Sequence, residues 1–586
     1  MFMKSKLIVD FFNQHKLSYF VGIIFMFSAS FIQTLFPKVL GNTIDIMKAN
    51  SFSEKSVLLN ILYILLIAIG TFISTYLWRN LVIANSRTFE IYLRENLFRH
   101  FEKLSPEFYS KRKTGDLIAY AINDISAVRM TFGPALTLSI NSIVICASSI
   151  YFMIVSINFK LTLITLAPLP LLVWFMLTIG KQIQVRFKKV QENFGALTDK
   201  VQENIYGIRV IKAYVQEDKE ILDFDNLSNR MMDSIIKMVK TSSYLSPAID
   251  LCFSVSFVLN LIIGGNMVLK GSISLGDFIA FNTYLVMIMA PIVSLGRVVA
   301  IFQRGMASLE RLNELLQIRP DIEESANALE QRIQGSIEFN NLSFRYPGAE
   351  EAALKDINLK IPQGQTLGII GKTGSGKTTL TNLLFKLYNI SPREIVLDGK
   401  DINDYSLESI RNSFGFVPQD TFLFSATIKD NIVFFKDIYS DDEIEKASRY
   451  SKIYDSIIDF PDGFNTMLGE RGVNLSGGQK QRLSIARAII KNPSVLILDD
   501  ALSAVDTVTE AHILKNLKTF SKNRTTLIIS HRVSAVAGAD EIIVLDQGRI
   551  CEKGTNNELL EKGGLYYDIY TEQVEEAKKA YQCDAI

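Results

Sequence analysis

Six stretches of this chain carry no charged side chain over about 19 to 30 residues each: 17–37, 56–78, 130–159, 161–180, 251–269 and 278–296. About 20 apolar residues in a helix cross the hydrocarbon core of a bilayer. Inside that core no water satisfies a backbone N–H or C=O, so a segment of this length is held to a helix, which pairs those groups within itself. Residues 17–310 are therefore expected to form a bundle of six membrane helices. An even number of crossings leaves both termini on one side, and a hydrophobic content of 48% fits a chain that is half membrane domain.

The gaps between the stretches set the orientation. The two long gaps, 83–129 and 181–243, hold eight and eleven Lys or Arg, whereas the three short gaps hold few, among them Lys48, Lys55, Lys160 and Lys270. Basic residues stay on the cytoplasmic side, which places the long gaps and both termini in the cytoplasm of a cell whose inner membrane the chain spans. Helical periodicity continues from the spans into both gaps, at Phe89, Leu93, Leu97 and Phe101 and again at Val190, Phe194, Leu197 and Val201, so the helices are expected to project beyond the bilayer. They can reverse near residues 113–116 and 206–218. Lys160 alone separates the third and fourth stretches, which asks for a tight turn. Residues 1–16 read as an interfacial helix. Pro168, Pro170 and Pro291 should bend their spans, as static kinks or as hinges. Asn141, Asn260, Asn266 and Asn282 read first as bonds between helices and second as contacts to a transported substrate. A net charge of +1 gives no basic bias towards nucleic acid. The four cysteines show no metal or redox spacing and are expected to be free thiols.

Residues 311–335 turn charged and polar and read as a linker. From 336 to 572 short strands alternate with helical patterns, the rhythm of an α/β domain with a largely parallel sheet, and 573–586 reads as a frayed tail. Strand 336–345 alternates apolar and polar residues like an edge strand. Within this domain an apolar run, Leu367, Gly368, Ile369 and Ile370, leads into GKTGSGKTT at 371–379 and then a helix. The loop residues are Gly371, Lys372, Thr373, Gly374, Ser375, Gly376, Lys377, Thr378 and Thr379. Its glycines let backbone N–H groups turn inward onto phosphate oxygens at the positive end of a helix dipole. Lys377 adds a point charge for the β- and γ-phosphates, and the Thr378 hydroxyl can ligate Mg²⁺. Ser476, Gly477, Gly478 and Gln479, in the run LSGGQ, sit at the start of a second helix suited to an anion. Apolar Val495 to Leu498 ends in Asp499, placed for the Mg²⁺ shell, and Asp500. Gln419 lies between, and His531 follows another apolar strand.

Together these motifs resemble the ATP-binding cassette superfamily, and within it exporter half-transporters whose membrane domain precedes a nucleotide-binding domain, the type I exporter fold. LSGGQ, placed between GKTGSGKTT and LILDD, is the most specific of them. The resemblance implies ATP and Mg²⁺ as cofactors, Tyr346 stacking on adenine, Gln419 sensing Mg²⁺ and the membrane domain, and His531 reaching the γ-phosphate. It implies that residues 469–472 touch the cytoplasmic helices and that Ser503, Ala504, Val505 and Asp506 line a dimer interface in which each LSGGQ closes on the other chain's nucleotide. Members that hydrolyse ATP carry glutamate where this chain has Asp500. The substitution, with the wording LILDDALSAVD and VPQDTFLFSATIKDNI, resembles the multidrug-resistance-like subunit of heterodimeric bacterial exporters. It implies a slow site on this chain, a partner chain with the working glutamate, and an amphipathic drug or lipid-like cargo. A lipid flippase, a homodimeric exporter, and an ATP-gated channel or sensor are the alternatives.

Overall fold

The computed structural model describes residues 6–48, 54–322, 324–325, 327–469 and 472–583, the side chains at 6, 7 and 576–583 excepted. Contacts divide the chain into two units, one of Met1–Glu102 with Thr114–Ile318 and one of Lys103–Lys113 with Arg319–Ile586.

The first unit is helical. Its principal helices are α1 (Lys6–Gln33), α2 (Phe36–Lys48), α3 (Glu54–Trp78) and α4 (Ala84–Phe101). Beyond the insertion α5 (Pro106–Ser110) come α6 (Leu136–Phe152), α7 (Pro168–Tyr206), α8 (Glu217–Ser242), α9 (Leu245–Leu259) and α10 (Leu275–Gln317). Six helical runs are long and apolar enough to cross a membrane: Ile8–Lys48, Glu54–Phe101, Thr114–Ile157, Phe159–Tyr206, Glu217–Leu269 and Leu275–Gln317. Residues such as Leu62, Leu66 and Phe72 of α3 are exposed, as a face turned to lipid would be.

Residues 6–16 are the first turns of α1 and run without a break into the span. Phe11 is buried there against Phe89 and Tyr92, which explains the continuity: its ring has a partner on α4. Phe89, Leu93 and Leu97 form the buried stripe of α4, as their spacing requires. The equivalent stripe on α7 stays open, with Phe194 and Val201 exposed. The turn between the third and fourth spans falls at Asn158, two residues before Lys160, because the Asn158 side chain accepts the Leu161 N–H at 3.1 Å and caps the next helix. Pro168 starts α7, where its missing N–H costs nothing, whereas α10 runs through Pro291 without interruption.

Asn141 accepts from Ser30 at 2.7 Å, and the Asn260 amide donates to Asn282 at 2.7 Å, so these polar residues tie spans together. A closer junction joins α2 and α10. A Cβ on Gly276 would lie 2.0 Å from the Gly41 carbonyl oxygen, and the Gly276 N–H donates to Asp45 at 2.7 Å. Small residues let backbones approach where lipid offers no hydrophobic drive for association. Below the spans Asp124 accepts from Arg311 and from Ser308, joining the extension of the third span to that of the sixth.

The second unit contains two sheets. The strands are β1 (Ile337–Phe344), β2 (Leu354–Ile361), β3 (Thr366–Gly371), β4 (Ile395–Leu397), β5 (Lys400–Asp401), β6 (Phe414–Val417), β7 (Val495–Asp499), β8 (Thr525–Ile529), β9 (Glu541–Asp546) and β10 (Arg549–Gly554). An antiparallel sheet has the order β2-β1-β4-β5, so β1 is an interior strand; its alternation reports one buried face and is silent on how many neighbours it pairs. The main sheet, β10-β9-β3-β8-β7-β6, is parallel from β9 to β6. Around it lie α11 (Lys377–Leu384), α12 (Gly477–Ile490), α13 (Thr507–Phe520) and α14 (Leu565–Cys583). The last of these continues well past residue 572 as helix. Residues 103–113 group with this unit, where Ser105 bonds the Asp321 carboxylate.

If the α2/α10 junction is as tight as the geometry says, Gly276→Val prevents the membrane unit from assembling. Gly115→Val, where a Cβ meets nothing within 4 Å, is tolerated. Monodispersity of the two variants in detergent checks this.

Candidate functional site

The C-terminal ends of β3, β8 and β7 form one edge. Ile369 is in register with Ile529 and Ile529 with Asp499, so the loops that leave these strands start side by side. That edge opens on a cavity of about 550 Å³.

The loop after β3 reverses through two left-handed glycines, Gly374 at φ +82° and Gly376 at φ +102°. A Cβ at Gly376 would also sit 2.6 Å from the Ala353 carbonyl oxygen, so glycine is required there twice over. A Cβ at Gly371 would sit 2.1 Å from the Leu545 carbonyl oxygen, which pins the end of β3 against β9. The Lys377 ammonium folds back over the loop and donates to the carbonyls of Gly371 at 2.8 Å and Lys372 at 2.9 Å. Burial lowers its pKa, and Asp500 and Asp499 oppose the shift. Thr373, Gly374, Gly376, Thr378 and Thr379 line the cavity with it, and the Ser375 hydroxyl is buried without a partner.

Facing the loop, Asp499 is 2% exposed. Burial raises its pKa, and a hydrogen bond from Thr378 works against the rise. Its Oδ2 has no hydrogen-bond partner. A buried carboxylate oxygen left unpaired beside a threonine hydroxyl, with Gln419 on the same wall, is a set of hard oxygen donors that fits Mg²⁺. Tyr346 lines the other end, its hydroxyl donating to Thr379 at 3.1 Å and its ring edge-on to Phe344 and Tyr388. Asp500 has a left-handed backbone, φ +47°, unusual for a residue with a Cβ. Its Oδ1 accepts from both the backbone N–H of His531 at 3.2 Å and the His531 ring Nδ1 at 2.8 Å.

Thus Tyr346, the loop residues Thr373, Gly374, Gly376, Lys377, Thr378 and Thr379, and Gln419, Asp499, Asp500 and His531 surround one space, while Gly371, Lys372 and Ser375 of the same loop do not line it. Ser476, Gly477, Gly478 and Gln479 do not. Ser476 caps α12, accepting from the Gln479 N–H at 3.3 Å while the Gln479 side chain accepts from the Ser476 N–H at 2.9 Å. Of residues 469–472, Glu470 and Arg471 lie outside the described residues. Four residues that carry no motif are wired into the site. Gln481 bonds the carbonyl of Asp500, the Ser503 hydroxyl and the Ala504 N–H. Arg532 joins the His531 loop to Glu510 and to the Ser503 carbonyl. Gln573 bonds the backbone on both sides of Arg532. Their roles come from partners distant in the chain, which no local pattern encodes.

Two family models match the chain, one described as the ABC transporter transmembrane region over residues 19–292 and one described as ABC transporter over 354–503. The chain belongs to the ATP-binding cassette transporter family. It is 38% identical over 573 residues, 98% of each chain, to the probable multidrug resistance ABC transporter ATP-binding/permease protein YheI of Bacillus subtilis (strain 168). It is 35% identical over 546 residues to the multidrug resistance-like ATP-binding protein MdlA of Escherichia coli (strain K12), covering 93% of this chain and 92% of that one. It is 35% identical over 489 residues to the ATP-dependent lipid A-core flippase of Syntrophus aciditrophicus (strain SB), with 83% and 80% covered. The solved structure of a bacterial Atm1-family ABC exporter with ATP bound matches with a TM-score of 0.78 and 26% identity, over 96% of this chain and 98% of that one. This exporter of the multidrug-resistance type is accordingly a multi-pass membrane protein whose second unit binds ATP and couples its hydrolysis to transport.

Removing the charge with Lys377→Ala, or obstructing the turn with Gly376→Ala, should weaken ATP binding by about 10- to 100-fold, the scale of one to two charged hydrogen bonds. Equilibrium binding of a fluorescent ATP analogue measures it.

Proposed function

We propose that this exporter is one subunit of a heterodimer that moves amphipathic drug or lipid-like molecules out across the cytoplasmic membrane, with both termini cytoplasmic and a slow ATP site on this chain. The observation that carries the reading is Asp500. Hydrolysis needs a base within hydrogen-bond reach of the water that attacks the γ-phosphorus, so that the water's proton has somewhere to go as the bond to the β-phosphate breaks. Aspartate is shorter than glutamate by one C–C bond, about 1.5 Å. Here its Oδ1 is also taken up by two donors of His531. Both facts favour a carboxylate turned towards the histidine and away from the water.

In this reading Tyr346 stacks on adenine, the 371–379 loop and Lys377 hold the phosphates, and His531 meets the γ-phosphate. Thr378, Asp499 and Gln419 hold Mg²⁺, which supplies charge neutralisation at the phosphates. LSGGQ lies away from this chain's own cavity and serves the partner's nucleotide when the two nucleotide-binding domains meet head to tail. Exporters of this family work as dimers, which the division of labour requires. Closure passes to the membrane helices through the two cytoplasmic reversals near residues 113–116 and 206–218, and the partner's working site resets the cycle. A lipid flippase is the second reading, favoured by the flippase relative in Syntrophus aciditrophicus (strain SB).

The purified chain alone should bind ATP with Mg²⁺ yet turn it over slowly. Asp500→Glu should raise its steady-state ATPase rate at least about tenfold, a barrier change near 1.4 kcal/mol. A fast parent rate abolished by Asp500→Asn would overturn the slow-site reading. Uphill movement of an amphipathic dye in proteoliposomes containing both subunits separates a pump from a gate.

A further inference from the structure

His531 is held at two points. On its amide side Asp500 accepts the backbone N–H. On its carbonyl side the holder is Gln573 of α14, in a part of the chain that belongs to none of the nucleotide motifs. The Gln573 Nε2 donates to the His531 carbonyl oxygen at 2.6 Å, and its Oε1 accepts the Val533 N–H at 2.9 Å. Residues 531 and 533 point their backbone groups the same way because Arg532 between them is extended, so one side-chain amide spans them as a neighbouring strand would. Val533 begins a short helix and its N–H has no partner within that helix, so Gln573 satisfies an otherwise orphaned donor.

The platform is firm. Tyr566 is fully buried and its hydroxyl donates to Asn556 at 2.7 Å. The Glu552 carboxylate accepts the N–H groups of Leu565 at 2.6 Å and Tyr566 at 3.2 Å at the start of α14. From the opposite side Arg532 is anchored by Glu510, which is 3% exposed, at 3.1 Å and by the Ser503 carbonyl at 3.0 Å. The histidine loop is thus clamped between α13 and α14.

We propose that Gln573 is a positioning residue for ATP hydrolysis: through its two backbone hydrogen bonds it fixes the height of His531 over the nucleotide. It touches no substrate and acts through the loop. The inference rests on the reading that His531 meets the γ-phosphate, and the experiment separates the two. Single-turnover hydrolysis of radiolabelled ATP by the full-length chain reconstituted alone, where only its own slow site contributes, is read for Gln573→Leu, Gln573→Asn, Gln573→Glu, His531→Ala and, as a control on the same helix, Glu572→Ala.

Gln573→Leu and Gln573→Asn should lower the rate at saturating ATP about tenfold, the scale of two hydrogen bonds, with the ATP concentration for half-maximal rate unchanged within about twofold. Gln573→Glu, which keeps the acceptor for the Val533 N–H but sets a carboxylate oxygen against the His531 carbonyl, should fall at least as far as Gln573→Leu, and Glu572→Ala should match the parent. Rates for Gln573→Leu and Gln573→Asn within twofold of the parent while His531→Ala collapses would overturn the role of Gln573 and leave the site reading intact. An inert His531→Ala would overturn both. A loss of ATP affinity equal to the loss of rate would reduce Gln573 to a folding residue.

Discussion

The register of β3, β8 and β7 is the constraint on which everything else in the nucleotide-binding unit depends. Because Ile369, Ile529 and Asp499 are paired across three parallel strands, the loops that follow them leave from one line. A phosphate loop, two adjacent aspartates and a histidine, spread over 160 positions of sequence, are brought to a single opening. Ligands in open parallel sheets sit beyond the carboxyl ends of the strands for this reason. The same pairing makes the site hard to relax: Asp500 is fastened to the Ile529 carbonyl by its own N–H at 2.9 Å, so its carboxylate starts from the edge of β8 whatever its length.

From that edge the wiring runs outwards. Gln481 ties Asp500 to the residues that follow it and to the helix headed by LSGGQ, while Arg532 and Gln573 fasten the histidine loop to α13 and α14. Asp500 and His531 are thereby linked through side chains to the first turns of α12 and to α14. The side-chain networks are buried or partly buried, where hydrogen bonds are stronger and unpaired groups more costly than in water. Asp499 Oδ2 and the Ser375 hydroxyl are among the buried groups left without a partner, one at the end of β7 and one in the loop after β3.

Much of this was readable in one dimension. The six charge-free stretches correspond to six membrane-length helical runs, and the loop from Gly371 to Thr379 follows a buried strand and opens a helix as its glycines demand. Phe89, Leu93 and Leu97 turn inwards because a 3.6-residue period shows which side of a helix is apolar. What stayed hidden depends on a second element whose identity sequence does not announce. Gly41 and Gly276 are ordinary glycines until their helices touch. Strand β1 alternates like an edge strand although it has neighbours on both sides. Asn158 marks the turn that the charge on Lys160 suggested two residues later, since capping is a matter of side-chain reach rather than polarity. Gln573, in what reads as a frayed tail, finds its partners only when α14 folds back onto the histidine loop.

The central claim is that this chain clamps nucleotide firmly and hydrolyses it slowly because Asp500 serves His531 in preference to water. The most direct measurement is the identity of the nucleotide that stays bound. The reconstituted chain is incubated with ATP and Mg²⁺, stripped of free nucleotide, denatured, and its extract separated by chromatography. Intact ATP as the main product is the expected result. ADP as the main product, at times when the parent has had only a single round of binding, would contradict the account.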